Sequence, residues 1–197
     1  IADDEVVLAF VGRLVLEKGL DVFANTLDRL NKMGIKHKAL IVGEGPERDR
    51  FAARLPNAVF TGYLKGPDLA KAYASADIFF NASITETFGN VTLEAMACGL
   101  PSVCANATGS RSLVDCGETG YLVGPGNIAE FSEQISRLIQ NKALRRELAA
   151  AALNKGQKFS WDSILNQLLN QYGEVLEIAA KKGDQEQTVV DVKKQSI

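Results

Sequence analysis

Val6-Val7-Leu8-Ala9-Phe10-Val11-Gly12-Arg13-Leu14-Val15-Leu16-Glu17-Lys18-Gly19 begins with six apolar residues in succession and ends in a loop carrying two glycines and two cations. An apolar run without polar alternation predicts a strand buried on both faces. Five further short runs follow: Ala39-Leu40-Ile41-Val42, Ala58-Val59-Phe60, Asp77-Ile78-Phe79-Phe80, Pro101-Ser102-Val103-Cys104 and Gly120-Tyr121-Leu122-Val123. Between them lie 17–33, 46–55, 67–75, 89–98 and a shorter piece near Ser112, each long enough for a crossover helix. Strands of this kind separated by helices predict an α/β fold, a Rossmann-like parallel sheet flanked by helices. Ligands of such sheets bind beyond the carboxyl ends of the strands, so the strand-to-helix loops are where chemistry is to be sought.

The 197 residues, 46% hydrophobic and 23% charged, suit one α/β domain with a C-terminal extension. A net charge of -2 supplies no general basic field, which argues against a nucleic-acid partner. No apolar run approaches the ~18 residues of a membrane span and nothing resembles a signal peptide, so a cytoplasmic protein is expected. The chain starts Ile1-Ala2-Asp3-Asp4 directly before a buried-type strand, which reads as a cut at a linker within something longer. Cys98, Cys104 and Cys116 are odd in number, lack metal-site spacing and sit among apolar residues; they read as reduced thiols, at least two of them buried packing. The expected division is a Rossmann-like domain over 1–159, an amphipathic helix over 160–180 and a polar, frayed tail over 181–197. Trp161, Ile164, Leu165, Leu168, Leu169, Tyr172, Val175 and Leu176 form the apolar stripe of that helix.

A dinucleotide-binding reading fails on the glycines. Gly12-Arg13-Leu14 lacks the three spaced glycines, and Gly43-Glu44-Gly45-Pro46 has Arg48 where the third should stand. The first loop instead places Arg13 and Lys18 at the end of a strand and beside a helix start, a combination suited to an anion. Two solvated surface cations are the alternative. In Glu86-Thr87-Phe88-Gly89-Asn90-Val91-Thr92-Leu93-Glu94-Ala95-Met96-Ala97-Cys98-Gly99-Leu100-Pro101, nearly every position from Val91 to Cys98 is apolar or small. That predicts an interior helix with Glu94 in its middle, where a carboxylate needs a hydrogen-bonded role, capping a neighbouring loop, or an opening onto a cleft. Glu86 lies in the preceding loop, beside the unpaired amides of the helix start at Phe88, Gly89, Asn90 and Val91.

Glu86 and Glu94, with seven residues between them in this segment, resemble the signature of the group-one retaining glycosyltransferases of the GT-B fold. Gly12-Arg13-Leu14 with Glu17-Lys18-Gly19, Val42-Gly43-Glu44-Gly45-Pro46, Phe60-Thr61-Gly62-Tyr63-Leu64 and Gly117-Glu118-Thr119-Gly120-Tyr121-Leu122-Val123 match in the same order. The resemblance implies the C-terminal, nucleotide-sugar-binding half of such an enzyme. In it Arg13 and Lys18 would hold the donor diphosphate, Glu94 the ribose hydroxyls and Glu86 the transferred sugar. Gly12 and the amides near Phe88, Gly89, Asn90 and Val91 would touch phosphate and sugar. Tyr63 and Leu64 would border the nucleobase, and the turn at Gly43 and Gly45 would line the cleft.

The implied activity is transfer of a hexose from a UDP- or GDP-sugar with retention of anomeric configuration. The acceptor, a sugar or lipid-linked sugar, would be held by an N-terminal domain, with peripheral membrane association of the whole protein and self-association through the C-terminal helix as further expectations. No Asp-x-Asp occurs, so no metal or other cofactor is expected and the two cations would serve instead. Thr108-Gly109-Ser110-Arg111-Ser112 departs from the Gly-Gly pattern of many relatives and leaves Arg111 unassigned. His37, the only histidine, falls at the start of the second strand and reads as structural. A catalytically inactive nucleotide-binding regulatory module and a sugar phosphorylase or sugar-phosphate synthase of the same architecture are the rival readings.

Overall fold

The computed structural model describes residues 5–194. They divide into two compact units, Ile1–Gln157 and Lys158–Ile197. The first is built on six parallel strands: β1 (Val7–Val11), β2 (Lys38–Val42), β3 (Val59–Gly62), β4 (Ile78–Asn81), β5 (Ser102–Ala105) and β6 (Gly120–Val123). Their order across the sheet is β3-β2-β1-β4-β5-β6, the doubly wound order of a Rossmann-like fold. Helices α1 (Leu20–Lys32), α2 (Arg48–Arg54), α3 (Gly66–Ala74), α4 (Asn90–Ala97) and α5 (Thr108–Leu113) make the crossovers, and α6 (Ile128–Gln140) and α7 (Lys142–Gln157) follow β6.

The unbroken apolar strands arise because alternate residues feed two different cores. Leu8 and Phe10 of β1, with Ile78 and Phe80 of β4, join Phe23 of α1 and Phe131 of α6 on one face. Ala9 and Phe79 join Tyr73 of α3, Ala95 of α4 and Cys104 of β5 on the other. A strand with helices on both faces has no polar side to alternate with. Phe23 stacks on Phe80 with ring centroids 4.7 Å apart, fixing α1 over the strand beside β1. β3 is half exposed, as its edge position allows. Asn127 caps α6, its Oδ1 accepting from the Glu130 amide at 3.2 Å.

Two expectations change. Cys104 alone of the three cysteines is buried, and burial pushes its thiol up to about 12; Cys98 and Cys116 are exposed free thiols. They lie at the end of α4 and in the segment between α5 and β6, outside the strands that form the core. The second unit is one helix, α8 (Trp161–Lys194), so the backbone stays helical over 181–194 where a frayed tail was expected. That stretch contains no proline and a single glycine, and its other residues tolerate a helix. Residues 195–197 lie outside the described residues. Trp161, Leu165, Leu169, Tyr172 and Leu176 of the stripe are exposed. Among the described residues no helix is long and apolar enough to cross a membrane.

Candidate active site

The loops after β1, β2, β3 and β4 converge on one cleft of about 510 Å³ at the carboxyl edge of the sheet. It lies where β1 is flanked by β2 on one side and β4 on the other, the point at which the strand order reverses. Gly12, Arg13, Lys18, Gly43, Tyr63, Leu64, Glu86, Val91 and Glu94, all singled out in the sequence, line it. Val11, Val42, Glu44, Lys65, Gly66 and Leu69 line it as well.

Lys18 reaches this cleft through local backbone geometry. Leu16–Lys18 form a single 3-10 turn closed by Gly19, whose amide donates to the Leu16 carbonyl and whose φ of 71° is left-handed. A Cβ at Gly19 would stand 2.7 Å from the Ala82 carbonyl oxygen, so only glycine lets this turn lie against the loop after β4. Lys18 Nζ consequently donates to Glu86 Oε1 at 2.7 Å, with side chains only 18% and 15% exposed. The alternative of two solvated cations is excluded for Lys18. Arg13 differs: its side chain is 72% exposed and its Nη2 lies 3.1 Å from Glu17 Oε1. Each cation therefore already holds a carboxylate.

Of the alternatives for Glu94 the opening onto a cleft holds, and the interior placement of its helix requires a correction, because Glu94 is exposed. Helix α4 buries Thr92, Ala95 and Met96 and turns Val91 and Glu94 toward the cleft, so the apolar run around Glu94 is only partly core. Tyr73 of α3, itself buried, donates from its hydroxyl to Glu94 Oε2 at 2.8 Å. Burial, and then the Glu94 charge, push the Tyr73 phenol far above its ordinary value, so it remains a donor. The Cys98 thiol, one turn beyond Glu94, is likewise raised, by partial burial despite its exposed surface and then by that carboxylate.

Phe88, Gly89, Asn90 and Gly45 do not line the cleft. Gly45 is pressed against Leu14, whose carbonyl oxygen a Cβ would meet at 2.4 Å. The other three sit where the loop is drawn toward α5. Thr108 Oγ1 and the Gly109 amide donate to the Glu86 carbonyl at 2.7 and 3.0 Å. The segment that departs from the family pattern thus fastens the loop bearing Glu86, and Arg111 within it is exposed and does not line the cleft. A Cβ at Gly109 would lie 2.7 Å from the Phe88 carbonyl carbon and 2.9 Å from the Glu86 carbonyl oxygen, both backbone. Gly109→Ala is expected to cost ~1–3 kcal/mol of stability through this overpacking and to shift Glu86; urea denaturation of the variant checks it.

His37 precedes β2, away from the cleft, with Nδ1 2.8 Å from the Ile35 carbonyl oxygen. Among the described residues no group of three or more His, Cys, Asp or Glu side chains is arranged to hold a metal ion.

The chain is similar to known proteins in sequence and in fold. The chain is 34% identical over 167 residues to sulfoquinovosyl transferase SQD2 of Arabidopsis thaliana, covering 82% of this chain and 32% of that protein. It is 32% identical over 175 residues to a GDP-mannose-dependent alpha-mannosyltransferase of Corynebacterium glutamicum, covering 89% and 41%. The crystal structure of Anabaena HepE in complex with UDP-glucose superposes with a TM-score of 0.74 at 27% identity, covering 86% of this chain and 49% of that one. The chain therefore spans a third to a half of the length of these relatives. The family model described as glycosyl transferases group 1 matches residues 5–141, and with it the cleft and every residue that lines it. The chain belongs to the group 1 glycosyl transferases, and its Rossmann-like unit corresponds to their C-terminal, nucleotide-sugar domain.

Proposed function

We propose that this chain is the donor-binding half of a retaining glycosyltransferase that moves a hexose from a UDP- or GDP-sugar to an acceptor without a metal ion. The observation that carries the proposal is the meeting of Arg13, Lys18, Glu86 and Glu94 on one cleft at the switch point of the sheet. Breaking the bond between the anomeric carbon and the diphosphate oxygen leaves positive charge on the sugar and negative charge on the leaving group. Fixed cations at the phosphates stabilise that separation without reorganising. Arg13 and Lys18 take this role, Glu86 positions the sugar, and Glu94 accepts from the ribose hydroxyls. Val91 at the start of α4 offers an amide with no intrahelical acceptor to the phosphates. Tyr63 and Leu64 border the base, with Gly12 and Gly43 lining the floor between.

The acceptor sugar or lipid-linked sugar, and any general base, belong to an acceptor-binding domain N-terminal to this chain. The stripe of α8 is the surface we assign to that domain, and in its absence to self-association. A nucleotide-binding regulatory module would use cations for the phosphates and Glu94 for the ribose but would not need a carboxylate for the transferred sugar, so Glu86, held beside Lys18 on the same cleft, favours the enzyme.

Metal independence is open to a direct check. Titration calorimetry with UDP and GDP is expected to give the same dissociation constant in magnesium and in excess chelator. Binding that appears only with a divalent ion would overturn the role given to Arg13 and Lys18.

A further inference from the structure

We infer that Tyr73 is a positioning residue for the nucleotide: its hydroxyl holds Glu94 in the one orientation that can take the ribose, and so sets how strongly the cleft prefers ribose over a deoxy sugar. This rests on the proposed role of Glu94 and extends it to a residue outside the cleft lining.

Glu94 is exposed on α4, and a glutamate there has several rotamers open to it. Tyr73 has none to spare. It is 2% exposed, its ring lies 6.3 Å from that of Phe79, and it shares a core with Ala9, Leu100 and Cys104. Core packing therefore decides where its hydroxyl stands. From that point Oη lies 2.8 Å from Glu94 Oε2 and 3.2 Å from the Val91 carbonyl oxygen. One proton serves two acceptors, and the shorter contact to the charged oxygen takes the larger share. The carboxylate is thus fixed through Oε2.

Helix α3 also carries Leu69, four residues before Tyr73 and on the same face, into the cleft lining together with Lys65 and Gly66. One rigid helix therefore contributes directly to the cleft wall and, through Tyr73, to the orientation of the carboxylate on α4. A tyrosine whose ring only filled the core could be replaced by phenylalanine with no consequence for ligand choice. One that orients Glu94 cannot, because a carboxylate free to turn loses its advantage for a sugar with both hydroxyls.

The test uses whichever of UDP and GDP the wild type binds more tightly, and the 2′,3′-dideoxy form of the same nucleotide. Dissociation constants for both are measured on wild type, Tyr73→Phe, Glu94→Gln and the double variant, with thermal unfolding recorded for each. Tyr73→Phe is expected to lower the preference for the ribonucleotide about three- to tenfold while leaving the dideoxy affinity unchanged. In the double variant it adds nothing to Glu94→Gln. A Tyr73→Phe protein that keeps the wild-type preference overturns the inference. If Glu94→Gln itself keeps that preference, the ribose role of Glu94 fails instead, which is a distinguishable result. Should Tyr73→Phe not fold, a crystal structure of wild type with the nucleotide decides: Tyr73 Oη on Glu94 with the other carboxylate oxygen on the ribose supports the proposal, and a hydroxyl turned away from Glu94 overturns it.

Discussion

Replacing Lys18 by methionine is expected to weaken nucleoside diphosphate binding by roughly two powers of ten. Two effects act in the same direction. The phosphates lose a cation that is only 18% exposed and therefore weakly screened. Glu86, held at 2.7 Å by that cation, is left as a half-buried carboxylate facing an anionic ligand. Truncating one member of such a pair costs about 2–5 kcal/mol, much of it from the stranded partner. A Lys18→Met, Glu86→Gln double variant should therefore recover about tenfold in affinity over Lys18→Met alone, since it removes the repulsion without restoring the cation. Arg13→Met should cost less, because its 72% exposed side chain acts through solvent. Calorimetry on the four proteins checks the series. Lys18→Met binding like wild type would show that the phosphates do not reach Lys18.

The sheet and the position of the cleft were legible because parallel strands covered on both faces write themselves as continuous apolar runs. Strand and helix limits shift by only a few residues between expectation and structure, as at β2, expected from Ala39 and beginning at Lys38. Spacing brought the lysine, the arginine and the two glutamates to one edge, since the first three stand in strand-to-helix connections and Glu94 on the helix that follows one of them. The pairing of Lys18 with Glu86 was not legible, because it depends on how closely Gly19 approaches Ala82, 62 intervening residues further along the chain.

Glu94 was misplaced for a related reason. Apolar composition alone does not say which face of a short helix meets the core, and α4 buries only Thr92, Ala95 and Met96. Tyr73 went unread and Thr108, noted only as part of a departure from the family pattern, was given no role, although each carried a signal. A tyrosine among alanines on a crossover helix must find a partner for its hydroxyl when buried. Thr108, at the start of a short helix after β5, holds a loop that lies 22 residues earlier.

Glu94→Gln and Glu86→Gln are expected to fail on different ligands. Glu94 meets the nucleotide itself, so its charge-assisted bonds, at ~1.5–3 kcal/mol, are lost with or without the sugar. Its substitution should weaken the bare diphosphate and the nucleotide sugar alike, by roughly ten- to a hundredfold. Glu86 meets only the sugar, and its substitution releases Lys18 for the phosphates. Affinity of Glu86→Gln for the bare diphosphate should hold or tighten, while affinity for the intact nucleotide sugar falls. The most direct measurement is a calorimetric titration of wild type and these two variants, each shown folded by circular dichroism, with UDP, GDP and their hexose conjugates. The account predicts binding of one nucleotide series by wild type, loss of both ligands of that series in Glu94→Gln, and loss confined to the sugar conjugate in Glu86→Gln. Wild type binding neither series, or Glu94→Gln binding both ligands like wild type, would contradict it.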